Sequence, residues 1–269
     1  MHREERSRSR SRPRLELELT DCFSGPSLDE SRWVPHYLPH WTTPERSAAR
    51  YDLGADGLRL RIDADQPPWR PDDGPMRVSN IQTGTWSGPP GSFEGQHRQQ
   101  AGLQVRTAQP SRYLWTPTYG RVEVAARASA DPDCMLGIWL VGFEEDSPKH
   151  CGEICIAELF GNATSPTGSA VRLGVKAHHD PRLRTEMHDV VLPVDTTEKH
   201  TYAAEWDSVE VRIVVDGDLL VTSHQRIAYP LQLMIDLFEF PTRDQRDRDD
   251  YPKTGVIRSV RGCRAVPVA

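Results

Sequence analysis

Gly152-Glu153-Ile154-Cys155-Ile156-Ala157-Glu158-Leu159 is the stretch on which the reading of this chain turns. Isoleucines alternate with an acid and a thiol, the composition of a strand that turns one face to a core. Buried strands rarely carry carboxylates, because taking an acid out of water is costly unless it is paired or does chemistry. Two acids close together on one strand are the usual equipment for cleaving a glycosidic bond. One carboxyl attacks or stabilises the sugar cation, and the other protonates the leaving oxygen.

Side chains on a regular strand alternate faces, so Glu153 and Cys155 point one way while Ile154 and Ile156 point to the core. Glu158 would fall on the core side of an ideal strand. A β-bulge between Cys155 and Glu158 returns it to the acidic face, and bulges are over-represented beside active sites. At roughly 3.3 Å per residue the two glutamate backbones then lie about 13 Å apart. Side chains leaning together close that to the roughly 5–5.5 Å of a retaining glycosidase. The reading requires the bulge.

The segment resembles the catalytic strand of family 16 glycoside hydrolases, Glu-x-Asp-x-Glu or, with a bulge, Glu-x-Asp-x-x-Glu. Tyr119 to Val124 resembles the strand that precedes it in the family, and Gly137 to Gly142, with Trp139, its tryptophan-bearing strand. His200 to Trp206 followed by Val215-Asp216-Gly217 resembles the late hairpin, and Tyr229 to Leu233 the return strand. Asp21 to Asp29 looks like the family's opening segment.

The resemblance implies an all-β fold, an antiparallel two-sheet β-sandwich (jelly roll) with a concave carbohydrate-binding cleft. It implies a retaining endo-glycosidase acting on a β-linked polysaccharide such as a β-glucan, with Glu153 as nucleophile and Glu158 as acid/base. No cofactor is required; a structural calcium ion away from the cleft is allowed, with no ligands assigned. Cys155 stands where the family has an aspartate thought to hydrogen-bond the nucleophile and hold the two glutamates in different protonation states. A thiol donates only weakly and is mostly neutral near pH 7. Between two carboxylates it is harder still to ionise. Two readings follow: an active site with Cys155 as a neutral spacer, or a lectin-like cleft that binds sugar without turnover. Transglycosylation would use the same intermediate as hydrolysis.

For substrate binding, Trp139 resembles the tryptophan that floors the family's cleft, a core position being the alternative. Trp115 is either a second stacking platform or loop packing. His178, after a strand-like Val171 to Val175, is either a partner for a sugar hydroxyl or an exposed loop histidine. Gln232 and Asp236 share a face of the return strand and are expected to line the cleft. His178-His179-Asp180 with His188 fits no standard metal spacing, so no metal site is expected.

At 269 residues the chain suits one large all-β domain. Its net charge of −6 argues against nucleic acid as a partner. No apolar run of about 18 residues is present, so no membrane-spanning helix is expected. Residues 1–19, rich in Arg and Ser before the alternating Leu15 to Leu19, read as a flexible tail, and 20–269 as the single domain. The tail lacks the apolar region of a secretory signal, so a cytoplasmic location is expected, with secretion the alternative if the true start lies elsewhere. Five cysteines without metal-type spacing read mostly as free thiols. Leu58 to Ile62 and Arg121 to Arg127 alternate as half-buried strands, and Val209 to Ile213, Asp216-Gly217 and Leu219 to Val221 spell a hairpin. Leu231 to Phe240 reads as a central strand, and Gln66 to Ser111 as long loops.

Overall fold

A computed structural model describes residues 14–242 and 247–266. Its first strands are β1 (Arg14–Asp21), β2 (Arg50–Gly54), β3 (Gly57–Ile62), β4 (Arg77–Gln82), β5 (Gly84–Thr85) and β6 (Arg112–Tyr113). The middle of the chain forms β7 (Gly120–Arg127), β8 (Cys134–Gly142), β9 (Glu153–Phe160), β10 (Ser169–Lys176) and β11 (Glu186–Leu192). The last are β12 (His200–Trp206), β13 (Val211–Val215), β14 (Asp218–Ser223), β15 (Leu231–Glu239) and β16 (Lys253–Val266). Helix is confined to short turns, the one α-helical turn among the described residues being Pro44–Ser47. No described helix is long and apolar enough to cross a membrane.

The strands make two antiparallel sheets. One runs β14-β13-β12-β7-β16-β3-β2, with β1 paired to the far half of β16. The other runs β11-β10-β9-β8-β15-β4, and β5 pairs with β6 alone. This is the expected all-β sandwich.

Burial along β7 alternates strictly, with Val122, Val124 and Ala126 inward, so that sheet has one wet face. In contrast, β8 and β15 are buried at every position, as strands covered on both faces must be. Between the sheets, Val122, Val124, Ile138, Ile154, Leu233 and Ile235 belong to the main core. The predicted hairpin turns at Asp216-Gly217, both with positive φ (49° and 93°), as a tight two-residue turn demands.

Three sequence expectations change. Residues 14–19, assigned to the tail, belong to β1, where Leu15 pairs with Ala265 and Leu17 with Cys263; residues 1–13 lie outside the described residues. Alternating leucines and glutamates there mark an edge strand rather than a linker. The Gln66 to Ser111 region holds a buried strand, β4, whose Arg77–Gln82 ladder with β15 hides it among Pro- and Gly-rich neighbours. Trp115 is not a cleft residue. It is 3% exposed in the main core, edge-to-face with Trp206 at 6.5 Å. A tryptophan ahead of a strand can turn to either layer, and packing against Gly262 takes this one inward.

The Trp206 indole is fully buried and donates to the Thr118 carbonyl at 2.8 Å. Trp206→Ala is expected to destabilise the fold by about 3–5 kcal/mol, read as a lower denaturation midpoint in urea.

Candidate active site

β9 lies between β8 and β10 in the second sheet. Its pairing carries the bulge the sequence demanded. On the β8 side Cys155 pairs with Trp139 and Ala157 with Ile138, leaving Ile156 extra. On the β10 side Cys155 faces Gly174 and Glu158 faces Arg172, the same one-residue slip. Ile154, Ile156 and Ala157 all reach the inter-sheet core, and Glu153, Cys155 and Glu158 share the opposite, concave face. A carboxylate oxygen of each glutamate and the Cys155 sulfur lie within 4.8 Å of one another.

Both acids are largely out of water, Glu153 at 2% exposure and Glu158 at 6%. Lys176, the last residue of β10, supplies the countercharge. Its Nζ is 2.9 Å from Glu153 Oε1 and 2.7 Å from Glu158 Oε1. The ammonium also sits 5.2 Å from the centre of the Trp139 ring. Two residues earlier Gly174 is required by the pairing with β11: its φ of 145° excludes other residues, and a Cβ there would collide with the Glu186 carbonyl oxygen.

His178, in the loop after β10, lies with Nε2 2.8 Å from Glu153 Oε2. His97 packs edge-to-face on it at 4.9 Å. Burial alone would raise the Glu153 carboxyl, but the His178 hydrogen bond and the Lys176 charge outweigh it and bring Glu153 down to about 2. Burial, then Glu158 and Glu153, push the Cys155 thiol well above its ordinary value. Cys155 is therefore a neutral group, its sulfur 3.6 Å from the Arg172 carbonyl.

Trp139 sits beside the acids on the concave face, only 7% exposed and packed on Phe238 at 5.7 Å. Gln232 and Asp236 share that face but do not line an open cleft. Tyr37, Leu38, Trp41 and Trp69, from the segments before β4, join Met234 and Phe238 in a second apolar cluster that roofs the β15 side. Beneath this roof Gln232 donates to Gln82 at 3.0 Å and Asp236 accepts from Asn80 at 2.7 Å. Burial, reinforced by Glu153, pushes the Asp236 carboxyl well above the usual carboxylate range. The open ground lies at the Glu153 end, where a pocket of about 920 Å³ is lined by Trp86, Phe93, His97, Glu144, Lys149 and His178. Burial lifts Glu144 to about 8, although it accepts the His97 N–H at 2.7 Å.

The sequence profile of glycosyl hydrolases family 16 matches residues 99–237. The chain belongs to that family. No curated protein sequence matches it. Among solved structures it is similar to the GlcNAcα1-4Gal releasing endo-β-galactosidase from Clostridium perfringens, at 26% identity and a TM-score of 0.78. That likeness covers 94% of this chain, which spans 63% of the other protein. It is also similar to the laminarinase from Rhodothermus marinus, at 20% identity and a TM-score of 0.64, covering 95% of this chain and 99% of that one. The laminarinase from Flavobacterium sp. UMI-01 matches at 17% identity and a TM-score of 0.62, covering 92% and 99%.

In this family 16 chain the two glutamates, Cys155, Trp139 and His178 come together as the sequence proposed. Sequence reading missed Lys176, His97 and Glu144. Lys176 carried one usable signal, as the polar residue closing a strand-like run, but its partner appears only once β10 is paired with β9.

Because the bulge adds one residue, deleting Ala157 restores simple alternation with both glutamates still on one face. That variant is expected to fold, whereas deleting both Ile156 and Ala157 would leave the glutamates three positions apart, turn Glu158 toward the core and collapse the melting temperature. Thermal denaturation separates the two. Glu153 ionises at a lower pH folded (about 2) than its ordinary 4.5, so its charge stabilises the fold above about pH 4.5. That contribution is lost as pH falls toward 2. The stability gap between wild type and Glu153→Gln is expected to be about 3 kcal/mol near pH 7 and to close below pH 4.5, as urea unfolding across pH would show.

Proposed function

We propose that this protein is a retaining endo-glycosidase acting on a β-linked polysaccharide, with Glu153 as nucleophile and Glu158 as acid/base. The observation that carries it is the bulge-made pair, two buried carboxylates with oxygens within 4.8 Å on the concave face. That spacing suits attack by one carboxyl on the sugar and leaves no gap for the water an inverting enzyme holds between them. Glu153, held ionised, attacks the anomeric carbon as Glu158 protonates the departing oxygen. Glu158 then takes a proton from the incoming water, which releases the sugar with its original configuration. Cys155 is a neutral spacer in this reaction, which needs no cofactor. Oligosaccharide enters over the pocket at the Glu153 end, where Trp86 and the 52% exposed Phe93 offer apolar faces for sugar rings.

The similarity at 26% identity is to an endo-β-galactosidase, against 15–20% for the laminarinases. β-Galactosidic polymers therefore come first on the substrate panel and β-glucans second. A transglycosylase reading draws on the likeness to the Crh5 transglycosylase at 16% identity and a TM-score of 0.58. It differs only in passing the intermediate to a sugar hydroxyl.

The test is turnover on β-galactans and β-glucans with proton NMR of the first-formed anomer. Retention is expected, Glu158→Gln should lose about 10²–10⁴-fold in kcat, and Glu153→Gln should be inactive. An inverted product would overturn the assignment, and oligosaccharide binding without turnover would favour the lectin-like alternative.

A further inference from the structure

Cys155 cannot do the work of an acid between the two glutamates: its thiol is fully buried, neutral and aimed at the Arg172 carbonyl. Some other group must govern their charges. Lys176 Nζ touches one oxygen of each, at 2.9 Å and 2.7 Å. We propose that Lys176 is the positioning residue of this site, its ammonium pairing with whichever glutamate is anionic at each step and replacing an acid at position 155. The inference rests on the two-glutamate reading above.

The charge movement follows from atom balance. In the first step a Glu153 oxygen bonds to the anomeric carbon, the bond to the leaving oxygen breaks, and the Glu158 proton goes to that oxygen. Negative charge has passed from Glu153, now an ester, to Glu158. In the second step a water oxygen bonds to the anomeric carbon, the ester bond breaks, and the water proton goes to Glu158. The charge returns to Glu153. A cation fixed in contact with both carboxylates stabilises each resting state without moving, the preorganisation that catalysis rewards.

Around the ammonium and its two acids stand Cys155 of β9, the Trp139 ring of β8, His178 in the loop after β10 and His97 across the pocket, with Arg172 of β10 near Glu158 but paired to Asp189. Although burial disfavours the charged lysine, Glu153 leads the neighbours that raise Lys176 above its ordinary value in the resting site.

The experiment is the pH–rate profile of wild type, Lys176→Met, Lys176→Arg and the Lys176→Met/Cys155→Asp double variant on the polymer that wild type cleaves. Lys176→Met is expected to lose at least about a hundredfold in kcat and to move the acid limb up by at least about one pH unit. Lys176→Arg should keep the acid limb in place, and Cys155→Asp should recover part of the loss. An unmoved acid limb in Lys176→Met, or an arginine variant no better than methionine, would overturn the proposal. Should the methionine variant fail to fold, Lys176→Gln carries the same expectation. Carbon-13 NMR titration of the Glu153 carboxyl in Glu158→Gln, with and without the lysine, is independent of turnover. An upward shift on removing Lys176 supports its hold on Glu153, and no shift refutes it. A wild type without turnover would count against the glycosidase reading alone.

Discussion

One extra residue in β9 sets the terms for everything around it. Regular pairing would send Glu158 between the sheets, among Ile138, Leu233 and Ile235, where an unpaired acid has no partner. By slipping against both neighbours at Ile156 and Ala157, the strand buries two successive apolar side chains and returns Glu158 to the concave face. The main core and the paired acids are thus two sides of one irregularity. A bulge is held only where flanking strands over-determine it, and β8 and β10 do so from both edges.

Placing two carboxylates in a nearly dry setting creates an electrostatic demand that the strand itself cannot meet. The answer comes from β10, whose Lys176 ends in contact with both acids, and from the His178 loop just beyond it. Buried charges of one sign are tolerable only when paired and hydrogen-bonded. The glycines at 137 and 174 serve the packing of these strands. Gly174 lets β11 approach β10 closely, a Cβ there meeting the Glu186 carbonyl, and Gly137 leaves space for the Trp139 indole, whose Cζ2 would stand 2.8 Å from an added Cβ.

The roof over the β15 half of the concave face redirects the cleft. Tyr37, Leu38, Trp41 and Trp69 close that side with apolar packing, and Asn80, Gln82, Gln232 and Asp236 satisfy one another underneath. What stays accessible is the ground near His97, His178 and the aromatic pair Trp86 and Phe93. The acids are therefore approachable from the β9–β10 side. This asymmetry distinguishes the molecule from a sandwich with a fully open groove.

Much of this was legible in residues 152–159 and in the alternation of Leu58 to Ile62, Arg121 to Arg127 and Val209 to Ile213. A period of two states which face a side chain takes, and an acid at the wrong parity announces a bulge. The faces of Gln232 and Asp236 were readable for the same reason; their covering was not. Trp115 carried no periodic signal and went to the core. Sequence alone determined the all-β class, the two-acid strand and its irregularity, because these depend on neighbours along the chain. Only the tertiary structure decided that Lys176 bridges the acids and that loops before β4 roof half the cleft. Strand order and loop packing join residues far apart in sequence, and no local pattern records such contacts.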